Sequence, residues 1–336
     1  MGPRTPQSRS FNTVKHSNRD ARIKKRQTQR LLILAMASVI ALLVLMLIVF
    51  AICSIAQAVK NKEEPLVLPP ATGNTLEEGA GMTVVSSQFK TRGPLLIVSN
   101  SNVNSYIPDE AAMTTLAKNA QPTFNGAYVY KLSGDIKLHP DALAAFNAMM
   151  TEYCKILWSG EDEHGESPVT LVEAFRTLAT QEGIYNPDYS DSAKAGHSDH
   201  HTGYLLNLSA SSSAMSWIRE NAHKYGFVFR YPSEKSGATG IVNYPTCIRY
   251  VGVAHATYMK ANNLCLEEYV ATVQQHPWEA PLNITTANGQ SYIVYYATAY
   301  TAGTGTNITQ IKTPANYTVE ISGDNIGGFI ATVKIN

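Results

Sequence analysis

The chain of 336 residues is long enough for one sizeable domain plus flanking segments, and its formal net charge is +1. That balance hides an asymmetry: residues 1–30 carry nine Lys or Arg against one acid, Asp20, and the remainder is net negative. A basic tail alone would admit nucleic-acid binding. The segment that follows it points to a membrane instead, so nucleic acid is not an expected partner.

From Leu31 to Ala58 no residue is charged. Such a stretch exceeds the roughly 20 apolar residues a helix needs to cross the hydrocarbon core. It is also too long for the apolar region of a cleaved signal. With the basic cluster immediately before it, the positive-inside rule predicts a cytoplasmic tail over 1–30, a transmembrane helix over 31–58 and an extracytoplasmic remainder. Residues 59–90 mix charge, Pro, Gly and Thr without an apolar period and read as a linker. Outside the span the cysteines are Cys154, Cys247 and Cys265, which an oxidising compartment would allow to form one disulfide with one thiol left over.

The apolar run 93-GPLLIVSN-100 reads as a short strand. Pro140 suits a first helical turn, and Leu143, Phe146, Met150, Cys154 and Leu157 recur at helical spacing, so a helix over 141–157 packs on a core. Strands are expected at 169–175, 204–210, 227–232 and 248–254, with a helix over 214–226 stopped by Gly226. There is no Gly-rich phosphate loop and no regular βαβ rhythm, and the expected fold class is α+β, a small antiparallel sheet flanked by helices. Past Trp278 the chain turns rich in Thr, Tyr, Asn and Gly. QSYIVYYAT, YTVEI and GFIATVKI alternate as strands do, so 277–336 is expected to be a small all-β appendage.

Three histidines in five positions open 197-HSDHHTGYLLNLSA-210 in the manner of a metal site. Three words in order, 174-AFRTLATQ-181, 198-SDHHTGYLLN-207 and 244-YPTCIRYVG-252, resemble the VanY-type D-alanyl-D-alanine carboxypeptidases, zinc peptidases that trim peptidoglycan stem peptides. YGFVFRYP (225–232) and His255-Ala256 fit the same pattern, and the resemblance spans 91–276. It implies a VanY-like peptidase fold, zinc as the cofactor and a peptidoglycan stem peptide as the partner. The implied zinc positions are His200, Asn207 and Cys247, where the family has His, Asp and His. Tyr244 stands where the family has the Glu that activates the attacking water. Arg176, Ser198 and Gln181 stand at substrate-binding positions, Arg176 against the terminal carboxylate, while Arg249 and Tyr250 match as structural support.

The substitutions bear directly on the chemistry. Catalytic zinc is held by about three protein ligands with one position open for water. An amide oxygen is a weaker donor than a carboxylate and brings no charge, whereas a thiolate is a good zinc ligand. A phenol, with an ordinary pKa of about 10, is a poor base at neutral pH, and general-base assistance is worth about 100- to 10,000-fold in rate. His197, Asp199 or His201 could serve as a substitute ligand, and Glu234 or Asp199 as a substitute base. Arg176 could instead pair with Glu173 or Glu182, and Cys247 could be a core residue or bridge Cys154 or Cys265. Three readings follow: a membrane-anchored, catalytically impaired VanY-like protein acting on or binding stem peptides; an active zinc carboxypeptidase with a variant His/Asn/Cys site; and a structural or adhesion module with the cleft closed by Tyr244.

Overall fold

The computed structural model describes residues 76–85, 89–100, 102–103, 110–117, 120–157, 167–189, 192–242, 244–299 and 307–335. The expected basic tail, transmembrane helix and most of the linker lie outside the described residues. Among the described residues no helix is long and apolar enough to cross a membrane. All of them fall in one compact unit, Pro65–Asn336.

The elements that matter, in chain order, are β1 (Met82–Val85), β2 (Lys131–Leu132), α1 (Pro140–Leu157), β3 (Val169–Glu173), α2 (Leu178–Ile184), β4 (Leu205–Ala210), α3 (Ser212–Asn221), β5 (Phe227–Tyr231), β6 (Tyr244–Tyr250), α4 (Val253–Ala261), α5 (Leu266–Val273), β7 (Leu282–Thr285), β8 (Ser291–Thr298), β9 (Ile308–Ile311), β10 (Val319–Gly323) and β11 (Gly328–Lys334). Five strands form the central sheet in the order β2-β3-β4-β6-β5. Its ladders are antiparallel except for β2 against β3, which run parallel, so the expected all-antiparallel sheet needs that correction.

α1 begins at Pro140, whose missing N–H costs nothing in a first turn, with Asp141 there and Lys155 in the last turn to suit the helix dipole. Its buried face, Ala142, Phe146, Met149, Met150, Tyr153 and Cys154, covers one face of the sheet. The sheet answers with Val169, Leu171, Leu206, Leu208, Phe227 and Ile248. Each large apolar side chain taken fully out of water contributes about 1.5–3 kcal/mol, so this seam holds the sheet rigid beneath whatever its other face carries.

The C-terminal strands form a second antiparallel sheet, β7-β8-β11-β10, and β9 pairs with β1. This sheet shares a core with the rest of the unit: Leu282, Ile284, Val294 and Ile330 pack with Val251, Met259, Tyr269 and Val270 of the α4–α5 region and with Leu95 and Ile97. Polar ties reinforce the seam. His255 joins the Tyr269 hydroxyl at 2.6 Å and Thr332 Oγ1 at 3.0 Å, and Asp324 accepts from Tyr296 at 2.7 Å and Gln274 at 3.1 Å.

The run at 93–100 is not a strand. Leu95–Val98 is buried, but its backbone is held by single bonds: Leu95 N–H to Ser322 Oγ at 3.0 Å and Ile97 N–H to the Asp324 carbonyl at 3.1 Å. Apolarity buries this segment, yet no neighbouring strand offers it a ladder. The three cysteines are buried and unbridged, so the disulfide allowed by composition does not form among them.

Candidate active site

One face of the central sheet carries α1; the other faces a cleft of about 860 Å³. Every residue expected at the site lines it: Arg176, Gln181, Ser198, His200, Asn207, Tyr244 and Cys247. Ladder register explains the grouping. Asn207 of β4 lies opposite Cys247 of β6 on one side and opposite Glu173 of β3 on the other. Residues directly opposite one another point to the same face, so the three form a row on that face, of which Asn207 and Cys247 line the cleft.

Glu173 reaches that row through an irregularity. Leu171 pairs with Leu208 and Glu173 pairs with Asn207, so β3 advances two residues while β4 advances one. Strict alternation would place Glu173 on the core side with Val169 and Leu171. The extra residue at Val172 is a bulge, and it turns Glu173 to the face that carries Asn207 and Cys247.

There Glu173 grips Arg176. Nε donates to Oε1 at 2.5 Å and Nη2 donates to Oε2, a two-pronged ion pair. Nη1 donates to Gln181 Oε1 at 3.0 Å, and the Gln181 amide donates to the Ala193 carbonyl at 2.7 Å. Burial pushes the Glu173 carboxyl up, but the Arg176 hydrogen bonds and charge outweigh it and hold it below the usual carboxylate range. Of the two acids open from the sequence, Glu173 is therefore the partner of Arg176.

His200 sits in a short 3-10 turn, Asp199–Thr202, entered through Ser198, whose hydroxyl accepts from the His200 N–H at 3.4 Å. Gly203 ends the turn at φ 73°, and a Cβ there would come within 2.5 Å of Met113 Sδ, so both backbone sign and space call for glycine. His200 Nδ1 donates to the Ala174 carbonyl at 2.5 Å, leaving Nε2 as the ring's lone-pair nitrogen. Burial, then the nearby Arg176 charge, push its pKa down to about 4, so the ring is neutral.

Its neighbours are structural. His201 Nδ1 donates to the Arg176 carbonyl at 2.8 Å and Nε2 accepts from the Gly196 N–H at 3.0 Å. His197 Nδ1 engages the Ser99 carbonyl at 3.1 Å. Asp199 is fully buried between two guanidiniums, Arg230 Nε at 2.6 Å and Arg249 Nη1, and Arg230 is also held by Glu267 at 2.6 and 2.9 Å. Burial pushes the Asp199 carboxyl up, but Arg249 and Arg230 overcome it and keep it ionised. Neither His201 nor Asp199 has a free donor atom for a metal, and Glu234 is exposed and does not line the cleft.

The remaining positions do not suit catalytic zinc. The Asn207 amide oxygen accepts the Thr246 hydroxyl at 2.8 Å. The Cys247 thiol is pushed up to about 12, chiefly by burial, so without a metal beside it the thiol is protonated. The carboxylate beside Asn207 is not free either, because Glu173 belongs to Arg176. Among the described residues no group of three or more His, Cys, Asp and Glu is arranged to hold a metal. Of the three expected zinc positions, His200 alone presents a neutral nitrogen donor, and one such ligand does not hold zinc.

Tyr244 opens β6 opposite Tyr231, their ring centroids 6.3 Å apart, and lines the cleft without closing it. Sequence reasoning did not find the opposite wall, where Ile97, Val98, Tyr189 and the Gly237–Ile241 turn complete the cleft. The apolar run at 93–100 was the available signal for part of it.

Comparison with known proteins agrees with this architecture. Residues 135–253 match the family model VanY, D-alanyl-D-alanine carboxypeptidase. A D-alanyl-D-alanine carboxypeptidase of Enterococcus faecium is 30% identical over 281 residues, covering 82% of this chain and 84% of the relative. The putative carboxypeptidase YodJ of Bacillus subtilis is 35% identical over 95 residues, covering 25% of this chain and 35% of the relative. In fold, the vancomycin-resistance D,D-dipeptidase VanXYg, solved with a D-Ala-D-Ala phosphinate analogue, matches with a TM-score of 0.61 at 22% identity, over 76% of this chain and all of that one. With the motif order, the site register and a relative aligned over most of both chains, this chain belongs to the VanY family of D-alanyl-D-alanine carboxypeptidases.

Proposed function

We propose that this chain is a membrane-anchored, extracytoplasmic VanY-family protein that binds peptidoglycan stem peptides in the cleft and has lost most of its hydrolytic capacity. The observation that carries the reading is the row Glu173, Asn207, Cys247: Asn207 and Cys247 line an open cleft, and the row's one carboxylate is committed to Arg176 rather than free to act as ligand or base. Hydrolysis needs an acceptor for the attacking water's proton. Tyr244 stands at that position in the sequence pattern, and a phenol is unsuited to the task near neutral pH. The cleft's volume speaks against a purely structural role in which Tyr244 fills it. For the anchor, the support is the uncharged run 31–58 behind nine basic residues.

The test uses the full-length protein in lipid nanodiscs. Zinc per chain is measured by elemental analysis, D-alanine release from a D-Ala-D-Ala-ended stem peptide is assayed, and binding of the same peptide series is followed by calorimetry. The expected outcome is substoichiometric zinc, release at background rate and measurable peptide binding. One zinc per chain with turnover abolished by His200→Ala would overturn the impaired-enzyme reading. No binding of any stem peptide would overturn the peptide-binding reading.

A further inference from the structure

The charged side chains among the described residues lining the cleft are Arg176, Asp199 and Glu267, and each is internally neutralised. Arg176 is matched by Glu173; Asp199 and Glu267 are matched by Arg230 and Arg249. The cleft therefore presents no uncompensated full charge from these residues. Glu173 holds Arg176 through a two-pronged carboxylate contact of the kind a peptide's terminal carboxylate could make. Three of the guanidinium's five N–H groups are engaged, two by that carboxylate and one by Gln181.

We propose that Glu173 is a specificity-determining residue, a built-in carboxylate that occupies the anion seat on Arg176 and directs the cleft toward peptides with a neutral amide where a free C-terminal carboxylate would lie. Such a neutral group belongs either to an amidated end or to a peptide bond continuing the chain. This inference deepens the stem-peptide reading and rests on it.

The physical case has three parts. A tethered carboxylate competes at a high effective concentration, of the millimolar order reached by short linkers, so a ligand carboxylate must first displace it. A displaced Glu173 would then be a second carboxylate beside the incoming one, and like charges disfavour each other. The bulge at Val172 directs the Glu173 side chain to this position, so the arrangement is part of the sheet. The rim fits an uncharged, partly apolar ligand: Ile184 is 50% and Tyr189 66% exposed at its edge. A neutral amide gives the two remaining guanidinium N–H groups a carbonyl oxygen to bind without challenging Glu173.

The test compares three stem-peptide mimics of one sequence on the full-length protein in nanodiscs: free acid, C-terminal amide, and the same peptide extended by further residues. Calorimetry is run on the wild type and on Glu173→Gln. The wild type is expected to bind the amide or the extended form roughly tenfold more tightly than the acid, and Glu173→Gln to invert that preference toward the acid. The amide and extended arms show which source of the neutral group is preferred. A wild type that binds the acid as tightly as the other two, or a Glu173→Gln protein that keeps the wild-type order, overturns the inference while leaving the stem-peptide reading intact. Failure of all three ligands on both proteins sinks the stem-peptide reading and the inference with it. The wild-type comparison stands even where the variant folds poorly.

Discussion

Replacing Asp199 separates a structural residue from a catalytic one, and the size of the effect follows from its surroundings. Its carboxylate lies at zero exposure between Arg230 and Arg249, themselves at zero exposure. In Asp199→Asn the charge is gone and both guanidiniums stay buried. Arg230 keeps its double contact with Glu267. Arg249 keeps only the Pro94 carbonyl at 3.0 Å and the Tyr204 ring at 5.6 Å, with its Nε already lacking a hydrogen-bond partner among the described residues. The loss thus falls mainly on Arg249. Breaking a buried ion pair from one side costs about 3–5 kcal/mol, and the retained amide oxygen places Asn near the lower end. For a unit of this size that is a drop of roughly 6–12 °C in the thermal midpoint. Urea unfolding and thermal melting read it directly. A second variant, Asp199→Asn with Arg249→Met, removes the stranded cation and should recover part of the loss, because the two sites are directly coupled. A midpoint for Asp199→Asn within about 1 kcal/mol of wild type would refute this reasoning. It would also restore Asp199 as a candidate ligand or base.

Two further outcomes are expected. If the donor set is what withholds zinc, Asn207→Asp with Cys247→His should take up one zinc per chain by elemental analysis, and adding Tyr244→Glu should raise D-alanine release by about 100-fold or more over the double variant; a triple variant that binds zinc without gaining rate counts against the assigned base position. Burial pushes the His255 pKa down to about 3, so between pH 6.5 and 3 the unfolded chain binds a proton that the folded chain excludes, and stability falls as pH falls through that window. His255→Gln should flatten the slope against pH of the unfolding free energy, measured by urea titration, by up to about 1.4 kcal/mol per pH unit, and identical slopes for the two proteins would remove His255 as the cause.

Much of the architecture was legible along the chain. The helix over 141–157 and the strands around 169, 204, 227, 290 and 328 follow from periodicity and punctuation, which are local properties, whereas the strand expected at 248–254 runs over Tyr244–Tyr250 and gives way to helix at Val253. The three motif words also located the cleft, since their residues do line it together. The segment 93–100 was misjudged because apolarity reports burial, while a strand also needs a partner edge that only the assembled fold supplies or withholds. The C-terminal strands were legible as strands, but not their shared core with α4 and α5, which rests on contacts such as Val294 and Ile330 with Val270.

The amino-acid sequence by itself determined which chemical groups stand at the motif positions: a phenol, an amide and a thiol where the resemblance to the family implies a carboxylate base and two zinc ligands. That substitution of donors is covalent and owes nothing to folding. Only the tertiary structure decided which groups remain available. A single extra residue in the β3–β4 ladder reverses the side of Glu173 and closes it onto Arg176, and a bulge belongs to the pairing of two strands rather than to either one. Likewise Asp199 is removed from any metal or proton chemistry by arginines 31 and 50 positions away. Coulomb interaction depends on distance in space and on burial, and neither can be read from separation along the chain.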